Sequence, residues 1–369
     1  MNITFLIGNG FDINLGLKTK YSDFVKYYKK LKPTSDTLKK FHAYIKDNEE
    51  LWSAAEIAMG EYTSEFEKGS AAAFSECHID FCEQLALYLK KLMSGNDYDA
   101  FKESILKAFS NLNEIVQVFP AREREILNDV YERRKAEQRV FNFICFNYTD
   151  TLDQCVLLAK AVPNTLGSHK YLGENMQHLI GKICHVHGTV EKEMVFGVND
   201  DSQIANVGIF DCDYGDLYEH MLIKIQANAS YKENADENAA QLIYDSNLIY
   251  IYGMSIGDTD KLWWNRICTW LSDGGDRHLI IYKHDMPQKT VIPLVYQKAE
   301  KEAIRNFISH SSLDDSKKKS IEARIHITGE NIFKDIQYIA DDLSYNDEEN
   351  INLYDYLKPD EKVFAQSKI

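Results

Sequence analysis

The chain has no long basic run, no C-x-x-C pair and no apolar stretch long enough to cross a membrane. Each absence removes a class of function. Nucleic-acid and anionic-membrane surfaces depend on clustered Lys and Arg to neutralise phosphates. Here Asp plus Glu number 57 against 42 Lys plus Arg, a formal net charge of −15. Neither direct nucleic-acid binding nor membrane association is therefore expected, although a local basic pocket stays open. Zinc ribbons and disulfide frameworks need paired cysteines. Cys77, Cys82, Cys145, Cys155, Cys184, Cys212 and Cys268 form an odd set without that spacing, which reads as reduced core thiols in a cytosolic protein. The first apolar run stops at Gly8 and Asp12, far short of a secretory or spanning segment, so a cytoplasmic location is expected. With 369 residues and 44% hydrophobic content, the chain can bury a large core as one domain with an insertion or as two modest domains.

The stretch that organises the rest is Ile3-Thr4-Phe5-Leu6-Ile7-Gly8-Asn9-Gly10-Phe11-Asp12. A β-branched apolar run that breaks into glycines reads as a buried strand entering a tight turn. Lacking Cβ, Gly8 and Gly10 could let backbone N–H groups approach an anion. The dinucleotide fingerprint G-x-G-x-x-G fails at Ile13, so an ordinary strand-to-helix turn explains this stretch equally well.

Helical periodicity follows. Phe24, Tyr27, Tyr28 and Leu31 form one stripe with Ser22 placed as its N-cap, Phe81 to Leu92 another, Phe101 to Leu112 a third, and 122–138 reads as a charged, solvent-facing helix. At 140–146 the pattern changes to a nearly continuous apolar run, typical of a strand buried on both faces. Further strands are expected at 182–187, 194–198, 248–252, 278–282 and 324–327, with a polar helical stretch over 231–245. Strands alternating with helices predict an α/β fold: a Rossmann-like, mostly parallel sheet with helices on both faces and a large all-helical insertion after the first strand. The expected division is 1–30 with 138–340 for the sheet domain, 31–137 for the insertion and 341–369 for a C-terminal helix or tail.

In such sheets ligands bind beyond the carboxyl ends of the strands. Those ends carry Gly8-Asn9-Gly10, Asn147-Tyr148-Thr149-Asp150, His185-Val186-His187-Gly188 and Gly253-Met254-Ser255-Ile256-Gly257-Asp258. His185 and His187, two apart on a strand, share a face and leave three readings open: metal ligands, a catalytic base at His187, or structural histidines. Asn147 can hold a ribose hydroxyl or orient a water, or simply serve a turn. Asp150 and Asp153 are most simply helix-start carboxylates. The turn at Gly253 resembles a second anion cradle, with Asp258 or Thr259 capping the next helix. Trp52 and Glu56 read as a partly buried indole beside a surface acid.

Together these motifs resemble the abortive-infection AbiH family of prokaryotic anti-phage proteins. The matching segments are 6–12 with Gly16-Leu17 and Tyr21-Ser22-Asp23-Phe24, then 146–153, His187-Gly188 and 252–260. The family is in turn similar to the sirtuin-like group, which binds NAD on a Rossmann-type sheet. By position Asn147 matches that group's catalytic asparagine and His187 its catalytic histidine, Asp153 takes the place of a glutamate, and Thr149 stands where the group has aspartate. Gly8, Asn9, Gly10, Phe11 and Asp12, with Gly253, Ser255 and Asp260, would surround the dinucleotide. The zinc-binding cysteine pairs of deacetylating sirtuins are absent, and no metal is expected. The resemblance implies an NAD⁺ glycohydrolase with NAD as substrate. In it, N–H groups of Gly8, Asn9 and Gly10 would hold the pyrophosphate and Ser255 the adenosine side. Asn147 would fix ribose and water, His187 would accept a proton, and Asp150 would face the developing ribosyl cation. It leaves room for a phage-derived trigger, a partner defence protein or a homo-oligomer. Two other readings stand beside it: a non-catalytic nucleotide-binding sensor or assembly module, and a metal-dependent phosphoesterase using His185 and His187.

Overall fold

The computed structural model describes residues 1–231, 234–289 and 293–336. The tail expected at 341–369 lies outside the described residues, as does part of the helical stretch expected at 231–245. The strands are β1 Asn2–Ile7, β2 Val140–Cys145, β3 Ser168–Tyr171, β4 Glu174–Gln177, β5 Leu179–His185, β6 Leu248–Tyr252, β7 His278–Tyr282 and β8 Ile325–Thr328. Six form one sheet in the order β5-β2-β1-β6-β7-β8, with every pairing parallel, as the α/β reading expects.

β1 sits in the middle because each of its faces is apolar. Ile3, Phe5 and Ile7 point into one core with Phe141, Phe143 and Tyr250, while Leu6 points into the other with Ile144, Ile249 and Ile251. Side chains alternate with period two, so a strand buried on both faces has to be apolar at successive positions. From β1 the chain builds outward to β2 and β5, then crosses back to β6 and builds the other way to β7 and β8. The order reverses between β1 and β6, and parallel strands that diverge there leave a crevice at their carboxyl ends.

The residues between β1 and β2 do two different jobs. Helices Lys102–Ser110 and Ala121–Arg133 lay Ile105, Phe109, Leu127 and Val130 on the sheet face that carries Phe5. The helix at 122–138 was expected to face solvent, yet Leu127, Val130 and Tyr131 are buried. Helices Tyr21–Tyr28, Asp36–Asp47, Ala55–Tyr62 and Ala71–Met93 instead build a separate, aromatic-rich core around Phe24, Phe41, Trp52 and Phe81. Ser22 lies inside the first of these, whose N-cap is Lys20 without a side-chain cap bond.

The strand expected at 194–198 does not form. Phe196 and Val198 are apolar because they fill that second core, with Met194 packed against it, and Val198 makes one isolated bridge, to Ile223. Conversely, the β3–β4 hairpin carries no Asn-Gly or Asp-Gly signal. Its turn places Leu172 at φ 49° and Gly173 at φ 89°, the positive pair that a tight two-residue hairpin needs. Among the described residues no helix is long and apolar enough to cross a membrane.

Candidate active site

The turn after β1 touches the turn after β6. A Cβ on Gly10 would lie 2.4 Å from Gly253 Cα, and one on Gly8 would lie 2.7 Å from Gly253 O. Gly253, at φ 66°, meets Gly10 in return. The glycines are thus required for this close approach of backbone to backbone. Their N–H groups are also engaged: Gly8 N donates to Tyr252 O at 2.9 Å and Gly10 N to Gly253 O at 2.8 Å. These two amides cannot form the anion cradle expected of them. Asn9 is engaged as well, since its Nδ2 donates to Thr19 O at 3.0 Å and its Oδ1 accepts from the Thr19 hydroxyl, which ties the following loop to the turn. Phe11 is fully buried, with its ring edge-on to Phe333 at 5.1 Å, so its side chain serves the core.

Beside these turns lies a cleft of about 740 Å³, open mouth included, lined by Asp12, Glu56, Asn147, His187, Ser255 and Asp260 among others. A larger cavity of about 1,530 Å³, again including open solvent, runs on beyond the ends of β6 and β7 and shares Asn9, Gly253, Met254 and Ser255 with the cleft. The two straddle the point where the strand order reverses.

One wall holds Asp12 and Asn147. Asp12 is 1% exposed. Thr149 Oγ1 donates to its Oδ2 at 2.6 Å, while Oδ1 has no partner. Burial is the main force lifting this carboxyl, with the negative charge of Asp150 adding to it; the hydrogen bond from Thr149 and the nearby polar groups of Asn147 and Thr151 oppose the rise, and the outcome is a pKa of about 7. The carboxylate at this point of the cleft comes from the β1 turn, with the Thr149 hydroxyl bonded to it. Asn147, 6% exposed, lies near enough to ease the rise at Asp12, yet neither atom of its amide has a partner of normal hydrogen-bond geometry.

The opposite wall holds a charged network. His187 Nε2 lies 3.3 Å from Asp260 Oδ1, and its Nδ1 is buried without a partner. Lys224 Nζ reaches Glu56 Oε2 at 2.7 Å and Asp260 Oδ1 at 3.4 Å. Tyr21 donates to Glu56 Oε1 at 3.0 Å, and the Tyr148 hydroxyl lies 3.3 Å from the same oxygen. Burial alone would lower the Lys224 pKa, but Asp260 and Glu56 together outweigh it and raise it. Burial alone would likewise raise Asp260; Lys224 and His187 reverse that and hold the carboxyl well below the usual range.

Other expected residues lie elsewhere. Asp150 is outside the cleft: it N-caps helix Thr151–Ala161, accepts from Gln154 Nε2 at 2.8 Å and lines a separate cavity with Lys90 and Tyr98. The side chain expected to face a ribosyl cation thus does not line the cleft that holds Asn147 and His187. His185 and His187 do not share a face, because β5 ends at His185 and the alternation stops there. His185 turns to Asp153, at 2.8 Å, and its Nδ1 lies 3.3 Å from the Asn147 carbonyl, bracing the backbone of the cleft from behind. Among the described residues no three His, Cys, Asp or Glu side chains form a group that could hold a metal ion. Glu56 is no surface acid; at 9% exposed it is the insertion's contribution to the site. Lys224 was not singled out by the sequence at all. Its only local sign is a lone cation after the apolar Leu222-Ile223.

Residues 4–282 match the family described as bacteriophage abortive infection AbiH. The chain belongs to that family. The AbiH match runs from β1 to the last residue of β7, and so spans every residue named in the cleft. No curated protein and no solved structure matches the chain.

Proposed function

We propose that this AbiH protein acts against phage by hydrolysing the bond between nicotinamide and ribose in NAD⁺, with the chemistry in the cleft between Asn147 and His187. The observation that carries this reading is a set of buried polar atoms without partners on one cleft: both amide atoms of Asn147, Nδ1 of His187 and Oδ1 of Asp12. Buried polar atoms in folded proteins are almost always hydrogen-bonded, so such a cluster suits a ligand that brings its own donors and acceptors. A ribose does so, and an amide can bond its hydroxyls in both senses. The sirtuin-like resemblance assigns these same two residues to the nicotinamide riboside.

With Asp260 beside Nε2, the proton of His187 belongs on that nitrogen, which leaves Nδ1 to accept a proton from the attacking water. Asn147 holds the ribose and the water in place. The adjoining cavity gives room for the adenosine half, with Ser255 at the junction and Lys20 on its lining to balance a pyrophosphate. The engaged N–H groups of Gly8 and Gly10 take no part in that contact.

Removing a general base typically slows turnover by about 10²–10⁴, or roughly 3–5 kcal/mol of barrier. Nicotinamide release from NAD⁺, measured with and without infected-cell extract, should fall by that factor in His187→Ala while the fold persists. Equal release by variant and wild type would defeat the assignment. Tight NAD⁺ binding without product in the presence of extract would select the non-catalytic binding module instead.

A further inference from the structure

We infer that Asp12 is a catalytic residue of this reaction, its carboxylate facing the ribose as positive charge builds there, an inference that rests on the NAD⁺ reading. The geometry is particular. Asp12 lies on the same wall as Asn147, is buried, keeps Oδ1 unpartnered and is oriented through Oδ2 by the Thr149 hydroxyl. The charged and titratable groups around it are Asp150 and the Cys155 thiol on the helix side, and His187 and Asp260 across the cleft. Asp150 raises its pKa, and the partner of its Oδ2 is the Thr149 hydroxyl, not a cation. In NAD⁺ the positive charge starts on the nicotinamide ring and moves to the ribose as the bond breaks, so a buried carboxylate that faces the ribose interacts more strongly with the transition state than with the ground state, which is the condition for lowering a barrier rather than tightening ground-state binding.

In the step itself the C1′–N bond breaks with its electron pair leaving on nicotinamide. A water oxygen then bonds to C1′, and the water proton passes to His187 Nδ1. Asp12 gains and loses no atom. It has to be ionised, so its rise to about 7 makes the reaction sensitive to pH around neutrality.

Two variants test this, both read by nicotinamide release with infected-cell extract supplied. Asp12→Asn keeps the shape and removes the charge. It should lower kcat at least about 10²-fold with KM for NAD⁺ little changed, and should remove from the pH profile of kcat the rise that ionisation of Asp12 contributes. Thr149→Val removes the hydroxyl that eases ionisation, and should move that rise to higher pH while keeping the same plateau. Infrared spectroscopy should show a protonated carboxyl band that titrates near neutrality in the wild type and is missing from Asp12→Asn. An active wild type matched by Asp12→Asn in kcat and pH profile overturns the role of Asp12 and leaves the NAD⁺ reading standing. A wild type silent even with extract overturns the reaction, and the role of Asp12 with it.

Discussion

Asp12 and Asp260 face one another across a single cleft, and their carboxyls are driven in opposite directions. Depth does not explain the difference, since burial pushes both carboxyls in the same direction, upward. Their company does. Asp260 has the Lys224 ammonium and the His187 ring, whereas Asp12 has hydroxyls, an amide and a second carboxylate. A hydrogen bond to a charged group is worth about 1.5–3 kcal/mol, while the desolvation of an ion in a protein interior costs several. Hydroxyls therefore ease the ionisation of Asp12 without restoring it, and a cation is needed to do so for Asp260. One wall is a settled ion network, and the other keeps a carboxyl near its own midpoint.

The largest expected effect comes from making the two walls alike. Lys224→Met would leave Glu56 and Asp260 buried together without their ammonium. Breaking a buried ion network in this way costs roughly 3–5 kcal/mol, readable as a drop in the urea midpoint. A loss below about 1 kcal/mol, the size of an exposed pair, would show that the network is not the anchor described.

Asp12→Asn tests the other wall. The unfolded carboxyl ionises near 3.8 and the folded one near 7, so the folded state binds the extra proton between these values and loses stability as pH rises through that window. The variant should therefore be more stable than the wild type by on the order of 2–4 kcal/mol at pH 8, and by almost nothing near pH 4. Thermal melts at both pH values check this, and an equal shift at each would contradict it. The smallest effect concerns the seam. Gly10→Ala forces a methyl against Gly253 backbone and should cost about 1–3 kcal/mol, whereas Gly257→Ala, with nothing within 4 Å of its new methyl, should leave the denaturation midpoint in place.

Much of the frame was legible in the sequence because it is written in local periodicity. Leu248–Tyr252 and His278–Tyr282 are strands with the expected bounds, and the strand ends gather Asn147, His187 and Asp260 on one edge. What was illegible depends on contacts between distant segments. Glu56 looked like a surface acid because nothing nearby in sequence reveals that Lys224 and the Tyr21 and Tyr148 hydroxyls converge on it. The 194–198 run had the composition of a strand, but its apolar side chains fill a helical core. Gly8 and Gly10 read as an anion cradle, yet the backbone that approaches them is that of Gly253. Asp12 and Asp150 are equally plausible as carboxylates in sequence, and only the fold turns one into the cleft and the other away from it.

The central place of β1 also bears on how the chain is made. Synthesis delivers β1 before either neighbour, since β2 follows the whole helical excursion and β6 comes after β5. Until then Ile3, Phe5, Leu6 and Ile7 have no sheet to enter, and a strand with both edges open is the most exposed to pairing with another chain. The aromatic core around Phe24, Phe41 and Phe81 draws mostly on residues that emerge during that interval, so the excursion can begin to collapse while the strand waits. The cleft itself closes late, when β6 arrives and Gly253 meets Gly10, and a nascent chain halted before that point has no completed cleft.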